Sequence, residues 1–190
     1  MVGLGNPGPR YARTRHNVGF MAAEEFLRRH GVGAAWEEHG ALVRAARWAG
    51  ERLLVVRPLE FMNLSGGPIS ALCRSEGAAP ADLVLAYDDA DLPFGSIRVR
   101  PGGRPAGHKG VASIVEALGT DEIPRVRIGV GRPPEVGDLA EWVLETFDPA
   151  EAETLPDLIG RAVDAAELLI REGVKSAMNR YNRRDDEGDP

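Results

Sequence analysis

The segment GLGNPGPRYARTRHNVGF occupies residues 3–20, between a short apolar start (Met1, Val2, Leu4) and an amphipathic run that begins at Val18. Gly5-Asn6-Pro7-Gly8 is turn chemistry, because proline fixes φ and Gly8 accepts positive φ. An apolar segment that runs into such a turn ends a strand. It carries the Asn6 amide to the carboxyl edge of a sheet, where open α/β folds keep their sites. Past the turn, Val18, Met21, Ala22 and Phe26 recur at helical spacing until Gly31. His16 therefore stands just ahead of a helix, on the same rim as Asn6, and is a candidate base.

The same segment holds a competing pattern. Gly3-Leu4-Gly5-Asn6-Pro7-Gly8 has the spacing of the dinucleotide fingerprint Gly-x-Gly-x-x-Gly, whose mechanism needs a helix to open at the third glycine. Pro9-Arg10-Tyr11-Ala12-Arg13 opens no amphipathic helix. Glu24 and Glu25 fall inside the helix that follows, not at the end of a second strand. The nicotinamide and flavin readings are set aside on that ground.

Working outward, a polar connection through Trp36 and Glu38 leads to Ala41–Trp48 and Arg52–Arg57, an antiparallel hairpin turned at Ala49-Gly50-Glu51. Pro68 fits the first turn of a helix carrying Ile69, Leu72 and Cys73 and closed by Gly77. Leu83–Tyr87 is a nearly continuous apolar run, hence a buried strand, ending in Asp88-Asp89-Ala90-Asp91. Ile97–Arg100 is a basic strand and residues 101–110 (PGGRPAGHKG) a mobile loop. Val111, Ile114, Val115 and Leu118 mark a helix that stops at Gly119. Arg125–Val130 is a further strand. A short helix over 138–144 follows, then a helix capped by Asp148 with Pro149 at its first position and running to Gly173. A last turn or two covers Val174–Tyr181. Strands alternating with helices around one hairpin imply an α/β fold, a single-domain twisted mixed β-sheet sandwiched between helices in three α/β/α layers. The domain is expected over 1–182. Residues 183–190 carry no apolar side chain and are expected to form a disordered acidic tail.

At 190 residues the chain can bury a substantial core. Its single cysteine, Cys73, excludes an internal disulfide and a multi-cysteine metal site. No apolar run approaches the roughly 20 residues of a membrane span, and no signal peptide opens the chain, so a cytoplasmic protein without a membrane partner is expected. The net charge of −6 argues against a nucleic-acid partner, but its distribution argues for one. Basic residues gather in 1–29 (Arg10, Arg13, Arg15, Arg28, Arg29) and again in 92–132, whereas 133–172 carry eleven acids against Arg161 and Arg171. The expected molecule is bipolar, with a basic rim near the first motif that attracts phosphates.

Among the other candidates, Asp88, Asp89 and Asp91 cluster as a metal site would, yet no second cluster supplies ligands. One carboxylate partnering a histidine is the favoured reading. Asn63 and Ser65, ahead of a helix, read alone as caps. His30 ends a helix, where a cation suits the dipole, and His39 lies in a linker; both read as surface residues. His108 either stacks on a base or starts a helix. No serine or cysteine stands in a nucleophile setting, since Ser65 precedes Gly-Gly and Cys73 falls on an apolar helical stripe.

Four segments in order, GLGNPGPRYARTRHNVGF (3–20), FMNLSGG (61–67), YDDADLPFGSIRVRPGG (87–103) and RVRIGVGRP (125–133), together with AMNRYN (177–182), resemble bacterial peptidyl-tRNA hydrolase. The resemblance spans the chain. It implies one α/β domain, no metal, no cofactor, and hydrolysis of the ester joining a peptide to the ribose of its tRNA, which recycles tRNA from aborted translation. It further implies His16 as the base, Asp88 as its carboxylate partner, and Asn6 and Asn63 as amides holding the water and the peptide end. Tyr11 and Met62 would line the cleft, and Arg100 and Arg127 would clamp the tRNA 5′-phosphate, a contact suited to arginine. The implied partner is peptidyl-tRNA, met at its acceptor stem, 5′-phosphate and peptide end, by an enzyme expected to be a monomer.

The family's usual Gly-His-Asn-Gly reads Gly107-His108-Lys109-Gly110 here. Lys109 has no acceptor to copy the lost amide and would instead meet a phosphate or a substrate carbonyl, with His108 beside it. The first strand is also expected to be short. A positioned imidazole contributes roughly 100- to 10,000-fold to such a hydrolysis, so the expectation is direct water attack without an acyl-enzyme. Asn amides or backbone N–H groups would stabilise the oxyanion. The alternative is a catalytically weak or inactive RNA-binding protein of the same fold.

Overall fold

In chain order the elements are β1 (Val2–Gly3), α1 (Val18–His30), β2 (Gly31–Glu38), β3 (Ala41–Trp48), β4 (Glu51–Pro58), α2 (Gly66–Glu76), β5 (Leu85–Asp89), β6 (Ile97–Arg100), α3 (Lys109–Leu118), β7 (Arg125–Gly129), α4 (Leu139–Trp142), α5 (Pro149–Glu172) and α6 (Val174–Tyr181). The computed structural model describes residues 1–133 and 137–182, so the tail expected over 183–190 lies outside the described residues. The middle of the sheet is parallel: β4, β1, β5 and β7 run side by side. β3 and β2 add antiparallel beyond β4, and β6 antiparallel beyond β7, giving the order β2-β3-β4-β1-β5-β7-β6. The carboxyl ends of the four parallel strands thus share one rim. There β1 runs towards Asn6, β4 towards Met62, β5 ends on Asp88 and Asp89, and β7 leads to Arg132.

Helices cover both faces, as expected for three α/β/α layers. On one face Val18, Ala22 and Phe26 of α1 and Leu158, Ala162 and Ala166 of α5 pack with Ala86, Val126 and Ile128. On the other, Ile69 and Leu72 of α2 and Val111 and Ile114 of α3 pack with Val2, Leu4 and Leu85. Leu85 and Ala86 go to opposite cores, which is the period of two in a strand. α5 starts where its sequence says. Glu151 N–H donates to Asp148 Oδ1 and Asp148 N–H to Glu151 Oε2, a reciprocal cap with Pro149 behind it.

The first turn of α1 lies unusually close to the sheet. A Cβ at Gly19 would come within 2.3 Å of Ala86 O and 2.5 Å of Leu4 O, so only glycine permits the approach. Phe20 N–H donates to Leu4 O across it at 3.1 Å. The 3₁₀ turn just ahead, Arg15–Asn17, is thereby set over the end of β5.

Several expectations need correction. Residues 31–38 are a strand, β2, and not a polar connection. Its side chains are mostly exposed, and its register against β3 shifts between Val32 and Trp36. An exposed edge strand with a bulge leaves no alternation to read. Asp88 and Asp89 lie within β5 and not after it. The basic rim is thinner than the charge count implies, because Arg15 and Arg125 are each 2% exposed. Arg28 and Arg29 sit at the far end of α1, where they pair with Glu25, and Arg29 also with Asp164 and Glu167. His30 is no free surface residue. Its Nε2 lies 2.8 Å from Glu167 Oε1 and its ring packs between Phe26 and Trp48.

Candidate active site

The rim encloses a cleft of about 540 Å³, lined among others by Asn6, His16, Met62, Asn63, Asp88 and His108. The loop after β1 supplies Asn6, which is buried and held at three points. Its backbone N–H donates to Asn17 Oδ1 at 2.9 Å, its carbonyl accepts from Asn17 Nδ2 at 3.0 Å, and its Oδ1 accepts from Met62 N–H at 2.9 Å. With the oxygen so engaged, the Nδ2 hydrogens are the atoms Asn6 has left for the cleft. Asn17 was not singled out in the sequence. Its neighbour His16 drew attention as a base, whereas a side chain that brackets a backbone eleven residues away leaves no local pattern.

His16 comes from the 3₁₀ turn, whose backbone is fixed by His16 N–H donating to Val143 O at 2.7 Å and Arg15 N–H to Glu145 O at 3.0 Å. The buried Arg15 side chain anchors the same turn. Its guanidinium lies 3.6 Å from the Trp142 ring centroid, donates to Thr146 O at 2.8 Å and pairs with Glu151 at 2.6 Å. Thus an arginine counted with the phosphate-attracting rim holds the His16 backbone in place.

His16 Nδ1 lies 2.8 Å and 2.9 Å from the two oxygens of Asp88. The carboxylate is 3% exposed. Burial opposes its ionisation, but the His108 and His16 rings that face it outweigh that cost and hold the carboxyl well below the usual carboxylate range. A carboxylate there keeps the His16 proton on Nδ1 and leaves Nε2, across the ring, as an acceptor.

Each neighbouring acid is occupied. Asp89 pairs with Arg127, and Asp91 with Arg132 at 2.6 Å. The ligating atoms of His16, Asp88 and His108 lie within 4.8 Å of one another, a spacing a small cation accepts. Protons hold those positions instead: Val111 N–H donates to His108 Nδ1 at 3.2 Å, so the ring hydrogen is on Nε2, 2.9 Å from Asp88 Oδ1.

Met62 is buried and Asn63 exposed, both in the turn that precedes α2 and both on the cleft wall, with Lys109 exposed opposite them at the start of α3. Tyr11, expected to line the cleft, is not part of that lining; its ring packs edge-on to Phe61, which is, at 6.5 Å between centroids. Arg100 and Arg127 are not part of the lining. Arg100 is exposed at the end of β6, and Arg127 reaches the cleft only through Asp89. Among the described residues, no serine, threonine or cysteine lines the cleft. Ser65 Oγ is spent on Met62 O at 2.8 Å, and Cys73 is buried on α2. The arrangement can activate a water, orient a carbonyl by amide donors, and stabilise the charge that develops on it.

The family model described as peptidyl-tRNA hydrolase matches residues 1–188. A peptidyl-tRNA hydrolase of Mycobacterium tuberculosis is 48% identical over 185 residues, covering 96% of this chain and 96% of the relative. One of Chloroflexus aurantiacus is 46% identical over 183 residues, covering 96% and 97%. Among solved structures, the peptidyl-tRNA hydrolase of Acinetobacter baumannii superposes with a TM-score of 0.88 at 30% identity, over 95% of this chain and 92% of that one.

Proposed function

The chain belongs to the peptidyl-tRNA hydrolase family, and from that premise we propose that His16, oriented by Asp88, activates the water that cleaves the peptide from its tRNA. The protein is an enzyme that hydrolyses peptidyl-tRNA, and the alternative of an inactive RNA-binding protein is not favoured. The observation that carries the mechanistic reading is the contact of His16 Nδ1 with both oxygens of a buried carboxylate, beside the unspent amide of Asn6.

Water loses its proton to His16 Nε2 as it attacks the ester carbonyl. Asp88 steadies the imidazolium that forms. The Asn6 amide donates to the oxyanion, and the proton on His16 is then delivered to the departing ribose oxygen. The lack of a nucleophilic side chain on the described cleft wall supports direct attack by water without an acyl-enzyme. Asn63, Met62 and Tyr11 would receive the peptide end. His108 was expected to contact substrate, but both its ring nitrogens are engaged within the protein. Lys109, exposed at the cleft mouth, would meet a phosphate or a carbonyl. Arg100 and Arg127 would meet the 5′-phosphate of the acceptor stem, Arg127 by exchanging part of its contact with Asp89.

Residues 1–182 act in this reading as one catalytic unit, a monomer in the cytoplasm. Among the described residues no helix is long and apolar enough to cross a membrane. Asp88→Asn tests the mechanism. It should lower single-turnover cleavage of an N-blocked aminoacyl-tRNA by about a hundredfold or more, with binding of an uncleavable analogue unchanged. A wild-type rate would refute the pairing's role.

A further inference from the structure

His108 occupies an unusual position for a histidine. It is the residue before α3, where serine, threonine, aspartate and asparagine are the common choices. It does their work through its ring: Nδ1 accepts from Val111 N–H at 3.2 Å. A ring nitrogen accepts only when it carries no proton, so the cap places the ring hydrogen on Nε2. That nitrogen lies 2.9 Å from Asp88 Oδ1, and the side chain is 8% exposed. The ring is confined by its surroundings. Tyr87 packs edge-on at 4.8 Å, and a Cβ on Gly110 would come 3.2 Å from His108 Cε1 and 2.4 Å from Met62 Sδ.

We propose that His108 is a positioning residue for the reaction, a neutral imidazole of fixed tautomer that holds the Asp88 carboxylate and keeps its charge for His16. This rests on the reading of His16 as the base. Two imidazoles face one buried carboxylate, with ring centroids 5.0 Å apart. Were both free to take a proton, they would compete for the same anion, and a charged His108 would repel the His16 imidazolium that catalysis forms. The α3 cap removes the competition. Protonating His108 at Nδ1 would set two N–H groups against each other at Val111, so the positive charge is left to His16. The Nε2–H donated to Oδ1 also fixes the rotation of the carboxylate, which then presents both oxygens to His16 Nδ1. The titratable groups facing His108 are Asp88 and Tyr87 from β5 and His16 from the turn before α1, with Lys109 next to it on α3.

The test separates the cap from the carboxylate contact. In His108→Asn the shorter amide still caps α3 but cannot reach Asp88. Expected are a melting temperature near that of the native protein and a kcat lower by about tenfold with KM within about twofold. A long-range ¹H–¹⁵N spectrum of the native protein at neutral pH should show His108 as the Nε2–H tautomer. An unchanged kcat and KM in His108→Asn, or a raised KM at the native kcat, would overturn the proposal. The former would make His108 a cap alone and the latter a substrate contact. His16→Ala run in the same series keeps the outcomes apart: full activity there removes the base assignment itself, whereas an inactive His16→Ala beside a native-like His108→Asn removes only the role of His108.

Discussion

Just ahead of α1 His16 meets Asp88 at 2.8 Å, and at its last residue His30 meets Glu167 at 2.8 Å. Both rings are largely buried and both face a carboxylate, yet their surroundings differ. Glu167 also accepts from Arg29 at 3.0 Å, its backbone carbonyl holds the Trp48 indole, and the His30 ring is packed between Phe26 and Trp48. That end fastens α1 to α5. Among the described residues Asp88 receives only imidazoles, and the ring it orients opens on a cleft where an amide has hydrogens to give. A histidine paired with a carboxylate is a common structural unit. It becomes a base where the second nitrogen faces a space that a substrate can enter and donors stand across from it.

The largest effect that would sharpen this contrast is expected at Asn6. Asn6→Ala removes the donor assigned to the oxyanion and should cost about 2.7–4 kcal/mol in transition-state stabilisation, roughly 100-fold or more in kcat, measured by single-turnover cleavage. A loss confined to KM would make Asn6 a binding group only. At the opposite end of α1 the effect should appear in stability and not in rate. Arg29→Ala removes the Asp164 contact and leaves Glu167 with His30 alone, and should destabilise by about 1–3 kcal/mol in chemical denaturation, with kcat unchanged.

That deficit has a pH signature. Glu25 is held down to about 2, by its hydrogen bond to Arg28 against the cost of burial and with the further help of Arg29. A carboxyl with a lowered folded pKa stabilises above its unfolded value of 4.5 and loses that contribution as pH falls through the folded one. The difference between native protein and Arg29→Ala should therefore shrink towards about pH 2. A pH-independent deficit would detach Glu25 from the clamp.

Much of this architecture was legible in the sequence. The α1 stripe, the β3–β4 hairpin, the Asp148-Pro149 helix start and the glycine stops carry their chemistry locally, and the competing dinucleotide pattern failed on the same local grounds. β2 was missed because an exposed edge strand needs no apolar alternation. Within the site, Asn6, His16 and Asp88 were identified from motif context, and the cleft does bring them together with Met62, Asn63, His108 and Lys109. What the sequence withheld were pairings between distant segments. Arg15 reads as one more surface cation until its contact with Thr146, 131 residues away, is seen. His108 reads as a base-stacking ring or a helix start, and only its two nitrogens, traced to Val111 and Asp88, show that it starts α3 and holds the carboxylate as well. Composition counts charges but does not say which are already spent.

The most direct measurement takes the two histidines that bracket α1 together. His16→Ala and His30→Gln, each checked for native circular dichroism, would be assayed side by side for single-turnover cleavage of an N-blocked aminoacyl-tRNA and for binding of an uncleavable analogue. The account expects His16→Ala to lose about a hundredfold or more in rate while binding normally, and His30→Gln to cleave at the native rate even where its melting temperature is lower. Equal losses in the two variants, or a native rate in His16→Ala, would contradict it.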